Sequence, residues 1–419
     1  MNKFFFSALA LLGSAGAALA QDGASRIAPN PKPEAGAIPG RACSTMDVLQ
    51  AQLAADPAQA QRMAAIEAQT RSYLAQPAVM QRIAAGTPVV IPVVMHVVYN
   101  TAAQNVPQSQ IDAQIRVMNE DFAKTNADAS QIPALFTGVA AATNVQFVLA
   151  KRDPNGAPTT GVVRRQTKTR SFSSNDAIKS FSRGGSDAWP RDRYLNFWLG
   201  NLGNGLLGYA QFPGGAAATD GVVCLYSSVP GGTASNYNGG RTATHEVGHW
   251  LNLRHIWGDA TCGNDLVSDT PTQQTSNGGC PVFPKITCGN QGDMSMNYMD
   301  YTYDQCMYMF SAGQSSRMDA LFVGGGARAS LLTSTGGTAP RAATAALATL
   351  YPNPATDVLN LSLTTGTGAV RVYDLRGYEM TQARYNGHGQ VQVSALPKGL
   401  YYLTVETGAG LVRQRFEKE

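Results

Sequence analysis

The sequence has little charge, few cysteines and few long apolar runs, and each shortage excludes a class of protein. Only 14% of the 419 residues are charged, and the net charge of +4 comes without a basic tract, so no nucleic-acid partner is expected. Six cysteines are too few for a scaffold built from disulfides. Beyond the N-terminus, the longest apolar run is PVVIPVVMHVV (88–98), which is too short to cross a bilayer and predicts a buried strand. We therefore expect no transmembrane segment in the mature chain.

The first twenty residues, MNKFFFSALALLGSAGAALA, have the pattern of an export signal. A lysine and an apolar stretch precede Ala18-Leu19-Ala20, the small-x-small pattern that signal peptidase accepts. The alternative, a core strand or a membrane anchor, is disfavoured because the run is short and polar residues follow it. The prediction is a signal peptide over 1–20 and a protein exported through the periplasm, either secreted or held at the cell surface.

Composition and periodicity divide the rest of the chain into distinct regions. An Ala- and Gln-rich stretch contains one predicted helix after Pro57. It is followed by α/β material with four predicted strands, an amphipathic helix at 111–122 and a last helix near 313–333. A small, polar linker then leads to short alternating strands, which are typical of a β-sandwich. The predicted boundaries are 21–81, 82–333, 334–346 for the linker, and 347–419.

Three of the five histidines fall within HEVGHWLNLRH, residues 245–255. His245 and His249 lie one helical turn apart, so they can share one metal ion. His255 would point away from that face if the helix continued, so the helix must end before it. Asn252 is the expected end, because asparagine readily takes the left-handed conformation that ends helices. Thr242 or Thr244 is the expected N-cap.

This spacing predicts a catalytic zinc site. Such a site needs three protein ligands and one open position, and neutral imidazoles suit it. Glu246 is then placed to take a proton from water whose acidity the metal raises, which yields a nucleophile for amide hydrolysis. The alternative, ordinary helical histidines in the core or on the surface, is disfavoured by the complete motif.

The motif HExxHxxxxxH resembles that of the metzincin zinc endopeptidases, which have glycine where this chain has Asn252. The segment MNYMDYTYDQCMYMF resembles the Met-turn of their pappalysin branch, with Met299 as the Met-turn methionine. In that branch a tyrosine two residues later assists the oxyanion, and Tyr301 occupies this place; without the resemblance both would be ordinary core residues. The resemblance covers about 88–333. It implies an α/β metzincin domain with a twisted mixed sheet, an active-site helix and a Met-turn.

The loop CGNDLVSDTP, residues 262–271, is a candidate calcium site. Asp265, Asp269 and Thr270 stand close together among backbone carbonyls, and oxygen ligands of this kind suit calcium. The alternative is a solvated turn in which the aspartates cap local backbone groups. The resemblance favours the ion, since pappalysins bind calcium in the matching loop.

The cysteines divide into two groups. Four follow the histidines, and the resemblance implies the pairs Cys262 with Cys288 and Cys280 with Cys306. Cys43 stands in RACST, well before them. A thiolate is an excellent zinc ligand, and similar Arg-x-Cys segments hold pappalysin proenzymes latent. The alternative is a third disulfide between Cys43 and Cys224.

Asp304, five residues after Met299, is a candidate specificity residue. In ulilysin-like relatives an aspartate at the matching place selects arginine just after the scissile bond, and a buried carboxylate paired with a guanidinium is a strong interaction. The alternative is a surface or calcium-binding aspartate. With an arginine preference, self-cleavage at Gln81-Arg82 would give the mature N-terminus, and Arg62 and Arg71 mark possible earlier cuts.

The C-terminal region, from YPNPATDVLNL through GLYYLTV to RFEKE, resembles the sorting domain of the type IX secretion system of Bacteroidetes. This implies the type IX machinery as a partner. The alternative is a generic β-sandwich for adhesion.

Together these features predict a secreted zinc endopeptidase that acts on proteins and is made as a latent precursor. A surface-binding protein with a vestigial zinc site is the competing hypothesis. Glu246 and Tyr301 argue against it, because a structural site would need neither. The strand GVVCLYS is the candidate sheet edge against which an extended substrate lies.

Overall fold

A six-stranded sheet runs through the central region, residues 88–339, of the computed structural model. The structure describes residues 42–76, 88–339, 349–362, 367–375, 377–407 and 410–419. The predicted signal peptide, the predicted cleavage site at Gln81-Arg82 and most of the predicted linker lie outside these ranges.

The sheet is mixed, as predicted. Its order is β3-β1-β5-β7-β6, and β4 pairs with β1 beyond the end of β3. Every pairing is parallel except that of β6 with β7. Strand β1 is nearly all apolar because it is buried between parallel neighbours. The strands are β1 (Val89–Tyr99), β3 (Val145–Leu149), β4 (Val162–Gln166), β5 (Leu195–Gly200), β6 (Gly208–Ala210) and β7 (Val222–Leu225).

Helices and short ladders complete the central region. Two helices precede the sheet, α1 (Thr45–Ala55) and α2 (Ala58–Leu74). The helices of the central region are α3 (Gln108–Phe122), α4 (Arg241–Trp250) and α5 (Ala312–Asp319). Helix α3 buries Ile111, Met118 and Phe122 in the main core, in agreement with its apolar periodicity. Two-residue ladders join β2 (Ala140–Ala141) to β10 (Phe310–Ser311) and β8 (Gly278–Gly279) to β9 (Tyr301–Thr302).

Two predictions about this region were wrong. The strand GVVCLYS is not an edge, because β7 lies between β5 and β6 and the short β6 forms the edge instead. The predicted helix over 313–333 is only the eight-residue α5, followed by a 3-10 turn at Ala329–Thr333. Three consecutive glycines, 324–326, separate the two, and glycine is a poor residue for a helix interior.

An N-terminal helical segment, residues 42–76, packs against the central region. It contains α1 (Thr45–Ala55) and α2 (Ala58–Leu74). Met46 and Leu49 of α1 form a small apolar cluster with Phe212, and Leu53 and Met63 pack against this cluster. The segment therefore has little core of its own and relies on the region beneath it.

The C-terminal region, 349–419, contains two antiparallel sheets with orders β11-β12-β15-β14 and β13-β16-β17. Leu359 and Val391 of the first sheet share one core with Leu403 and Phe416 of the second, so the predicted β-sandwich is confirmed. The strands are β11 (Thr349–Tyr351), β12 (Val358–Ser362), β13 (Thr367–Tyr373), β14 (Arg384–Tyr385), β15 (Gln390–Gln392), β16 (Gly399–Thr407) and β17 (Gly410–Lys418). In the part of the chain that the structure describes, no helix has the length and apolarity needed to cross a membrane.

Candidate active site

Helix α4 ends where the histidine spacing required it to end. Its last residue is Trp250, and Asn252 has φ of 69°, the left-handed conformation. The amide of Leu253 donates back to the carbonyl of Gly248 over 2.9 Å, which closes the helix and turns the chain. This turn brings His255 to the same place as His245 and His249. The predicted N-cap was wrong, because the helix begins at Arg241, before either threonine.

Each of the three imidazoles is oriented through its Nδ1 atom. The Nδ1 of His245 lies 2.7 Å from the carbonyl of Tyr298, and that of His249 lies 2.8 Å from the carbonyl of Leu253. The Nδ1 of His255 lies 2.5 Å from the carboxylate of Asp259. These oxygens are acceptors, so Nδ1 carries the proton in each ring and Nε2 presents its lone pair.

The three Nε2 atoms converge on one point. Nε2 of His249 lies 3.2 Å from that of His245 and 3.1 Å from that of His255. The thiol of Cys43 joins them, and the four ligand atoms lie within 4.8 Å of one another. Burial lowers the pKa of His249, with a further contribution from His255, which favours the neutral imidazole. Three neutral imidazoles and a sulfur atom fit a tetrahedral metal site.

Glu246 lies beside this cluster and contacts the N-terminal helical segment. Its Oε2 accepts a hydrogen bond of 3.0 Å from the hydroxyl of Thr45 and lies 3.5 Å from the sulfur of Cys43. The carboxylate also rests on Gly208 of β6, where an added Cβ would come within 2.7 Å of Oε1. Glycine at this position therefore leaves room for Glu246 against the edge strand.

Met299 and Tyr301 both lie close to the histidines. The sulfur of Met299 packs under Gly248 of α4, so the methionine supports the helix from below. The hydroxyl of Tyr301 lies 3.1 Å from Nε2 of His255 and 3.4 Å from the carbonyl of Cys43. A phenol at this distance from the ligand atoms can reach a group bound there.

Cys43 reaches the site by pairing with the edge strand. It forms a parallel bridge with Gly208, flanked by hydrogen bonds from Ser44 to Gly208 and from Leu207 to Ala42. Gly208 in turn pairs with Cys224, so a whole strand separates the two cysteines, or roughly 9–10 Å. That is too far for a disulfide, and the alternative of a Cys43–Cys224 bond does not occur.

The candidate calcium loop lines a polar cavity of about 410 Å³. Asp265 is buried there, where it accepts hydrogen bonds from the hydroxyl of Thr270 and the amide of Val267, and burial raises its pKa to about 7. Asp269 points elsewhere: its two oxygens accept from Ser311 and from the amide of Gly313 at the start of α5. The loop thus offers one carboxylate to the cavity, while the other fixes α5.

Two disulfides brace the chain after the histidines. Cys262 is joined to Cys288 and Cys280 to Cys306, the pairing that the family resemblance implied. The first ties the candidate calcium loop to the segment that precedes the Met-turn. The second ties that segment to the residues just after Asp304.

Asp304 is buried and caps the start of α4. Its Oδ2 accepts from the amide of Gly239 over 2.8 Å and from the amide of Arg241 over 3.2 Å. A carboxylate at a helix N-terminus is favoured by the free amides and the helix dipole. This local role is one that the sequence did not indicate.

Three further residues complete the site, and none of them was predicted from the sequence. Thr45 contacts Glu246, Asp259 orients His255, and the main chain of Tyr298 orients His245. Only Asp259 carried a signal, since it is an acidic residue four positions after His255, a predicted ligand. A main-chain carbonyl and a hydroxyl from a distant segment leave no pattern in the sequence.

The fold and the site are those of a metalloprotease, and comparisons with known proteins agree. Residues 182–323 match the peptidase family described as pregnancy-associated plasma protein-A. Extracellular metalloproteases of Arthroderma otae and Arthroderma benhamiae are each 34% identical over 234 residues, which cover 54% of this chain and 74% of the relative. The chain therefore belongs to the pappalysin family of metalloendopeptidases.

Solved structures give the same result over more of the chain. A promirolysin mutant of Tannerella forsythia is 44% identical, with a TM-score of 0.63, and the match covers 70% of this chain and 97% of that one. Mature mirolysin of the same organism, in complex with a cleaved peptide, is 50% identical, with a TM-score of 0.58, over 59% of this chain and 97% of that one. Residues 349–418 match the secretion system C-terminal sorting domain.

Proposed function

We propose that the protein is a secreted or cell-surface zinc endopeptidase, made with an inhibitory N-terminal segment and exported by the type IX machinery. The observation that carries the proposal is the convergence of three Nε2 atoms beside a buried Glu246. The sorting domain and the extracellular relatives support export. The proposed organisation is a signal peptide (1–20), a propeptide (21–81), the peptidase domain (82–333), a linker and the sorting domain (347–419).

The residues around the cluster would divide the work of peptide hydrolysis. His245, His249 and His255 would hold zinc, which when bound polarises a carbonyl and makes water more acidic. Glu246 would take a proton from the attacking water and pass it to the leaving amine. The hydroxyl of Tyr301 would donate a hydrogen bond to the oxyanion as it forms. An extended substrate would pair with the edge strand β6.

The test is cleavage of unfolded casein by the mature protein. We expect one zinc per chain, and we expect Glu246→Ala to retain the metal while turnover falls by roughly 10³-fold, because the ligands survive and the base is lost. Unchanged cleavage by this variant would exclude the mechanism. Binding of zinc without any cleavage by the wild type would favour a surface-binding protein with a vestigial site.

The N-terminal helical segment is the proposed inhibitor. The thiol of Cys43 lies with the three Nε2 atoms, where it would exclude the attacking water, and Thr45 donates to Glu246, the proposed general base. Burial and the charge of Glu246 raise the pKa of this thiol, whereas a bound zinc ion would favour the thiolate. Of the proposed cleavage sites, those before Arg62 and Arg71 lie inside α2, so a helix would have to open before an extended segment could enter a cleft. This disfavours the two earlier cuts, and Gln81-Arg82 remains the proposed maturation site.

A preference for arginine after the scissile bond is proposed for Asp304, in addition to its capping role. Asp304→Asn tests it cleanly, because asparagine keeps an acceptor for the helix amides and removes only the charge. We expect the ratio of kcat/KM for arginine over alanine peptides to fall roughly tenfold or more, with only a small loss of Tm from the weaker interaction with the helix dipole. Wild-type enzyme without arginine preference would remove the hypothesis while leaving the zinc chemistry intact.

We further propose calcium in the cavity of the 262–271 loop, held by Asp265, Thr270 and main-chain carbonyls. A buried carboxylate facing a polar cavity supports this choice of ion. Because Asp269 accepts hydrogen bonds from Ser311 and Gly313, we assign it to support of the loop and not to the ion.

A further inference from the structure

A buried carboxylate behind the histidine helix has no part in the chemistry above. Asp121 is the penultimate residue of α3, and its side chain is only 1% exposed. A negative charge in the last turn of a helix is opposed by the helix dipole, and removal of a carboxylate from water costs free energy as well. The position is therefore unfavourable locally and depends on tertiary contacts.

Those contacts come from two other elements. The hydroxyl of Thr244 donates to Oδ2 over 2.7 Å, and Nη2 of Arg241 donates to Oδ1 over 3.1 Å, both from α4. The hydroxyl of Tyr298 donates to Oδ1 over 2.9 Å, from the turn just before Met299. Thr244 and Tyr298 are completely buried. Asp121 thus joins α3, the helix that carries two histidines of the site, and the Met-turn.

Both α4 and the Met-turn lead directly to His245. Thr244 is its neighbour on the helix, and the carbonyl of Tyr298 is the acceptor that orients its ring. The contacts of Asp121 therefore hold the backbone of His245 through one residue and its imidazole through another. His249 and His255 are oriented by Leu253 and Asp259 instead, so this arrangement is specific to one ligand.

We propose that Asp121 is a positioning residue for the metal site. It fixes α4 and the Met-turn relative to each other, so that Nε2 of His245 stays aimed at the ion. The inference rests on the proposed zinc function. Residues that orient metal ligands typically affect metal retention and activity by about 10- to 100-fold. Asp121 does not hydrogen-bond to His245 directly but binds Thr244 and Tyr298, which position it. Its loss should therefore speed zinc release about tenfold.

Asp128 offers a matched control for this role. It pairs with the same guanidinium of Arg241, at 2.6 and 2.9 Å, and its other side-chain partner is Asn126. It belongs to the same charge cluster but makes no such contact with Thr244 or Tyr298. A role of the charge cluster that acts only through Arg241 would lead both substitutions to change zinc retention, whereas a role through Thr244 and Tyr298 is confined to Asp121.

The experiment measures zinc transfer to a chelator from the full chain carrying Glu246→Ala, which prevents self-cleavage. We expect Asp121→Asn and Tyr298→Phe each to speed zinc loss about tenfold and to alter the visible spectrum of the cobalt-substituted protein. Asp128→Asn should match the parent in both. The effects of the two substitutions should be less than additive in the double variant, because Asp121 and Tyr298 share one hydrogen bond.

Two outcomes would overturn the inference. One is a lower Tm with unchanged zinc loss and an unchanged cobalt spectrum, which is what a merely structural contact predicts. The other is equal effects from Asp121→Asn and Asp128→Asn. If Asp121→Asn fails to fold, Tyr298→Phe decides the question alone. A wild-type chain that neither binds zinc nor cleaves casein would instead reject the proposed function, so the two failures are distinguishable.

Discussion

The N-terminal helical segment and the central region form opposite faces of one closed site, and they are held together in different ways. On the central face, every imidazole is oriented by an acceptor from the central region itself. The N-terminal face is attached by one parallel bridge, a small apolar cluster, the packing of Val48 and Ile66 against larger cores of the central region, and a few polar contacts. The ligand set is therefore built independently of the segment that covers it. We expect the segment to leave without disturbing the histidines.

The largest effect is expected when the sulfur atom of Cys43 is removed. Cys43→Ala should raise the activity of the precursor at least about a hundredfold. This factor corresponds to about 2.7 kcal/mol of docking free energy, and a metal–thiolate contact would contribute more than that. The measurement is cleavage of a fluorogenic peptide by the precursor before processing. Cys224→Ala is the control, since it removes a buried thiol outside the histidine cluster. A Cys43→Ala precursor as latent as the wild type would show that helix packing alone closes the site.

A smaller effect is expected from the ion pair that joins the two faces. The guanidinium of Arg317 is almost fully buried and binds both carboxylate oxygens of Glu67, at 2.8 and 3.1 Å. Glu67→Gln should lower the free energy of unfolding of the inactive precursor by about 2 kcal/mol, because it leaves a buried cation without its counter-ion. Denaturant unfolding of the Glu246→Ala precursor would measure this.

The exposed pair of Arg62 and Asp56, in the same segment, is the control for Glu67. Both side chains are nearly half exposed, so Asp56→Asn should change little. Equal losses from Glu67→Gln and Asp56→Asn would contradict the importance of burial. A larger loss from Glu67→Gln would show that the buried ion pair stabilises the precursor more than the exposed pair does.

The smallest effect concerns pH. Burial raises the pKa of Asp319 in α5 to about 6. Burial, together with the charge of Asp319, raises the pKa of Tyr73 in α2 to about 12. An acid whose pKa is raised on folding stabilises the protein below its unfolded pKa, and this stabilisation is lost as the pH rises through 6. As the pH rises from about 4.5 to 6, the ionisation of Asp319 should therefore lower the free energy of unfolding of the inactive precursor by about 1.5 kcal/mol.

Asp319→Asn should flatten this part of the stability profile. The measurement is the free energy of unfolding of the two inactive precursors across the same pH range. An equal slope in both would show that other groups control the pH response of the contact between the faces.

The sequence alone predicted the cluster of three histidines and the way their helix ends. Histidines at that spacing can meet only if the helix stops between the second and the third, and Asn252 was the residue able to stop it. The periodicities of β1 and α3 and the short alternating strands near the C-terminus were equally local signals, so they too could be predicted. The family resemblance extended this to the Met-turn and to the disulfide pairing, which spacing leaves open.

Only the tertiary structure decided which groups surround those ligands. Thr45, Asp121 and the carbonyl of Tyr298 come from parts of the chain far apart in sequence, and no local pattern marks them. The edge strand is another example, since β7 has the composition of a strand but its position in the sheet depends on where β6 pairs. Asp304 likewise caps α4 across a long separation. Local periodicity fixes which residues share a face, whereas packing between distant segments fixes what that face meets.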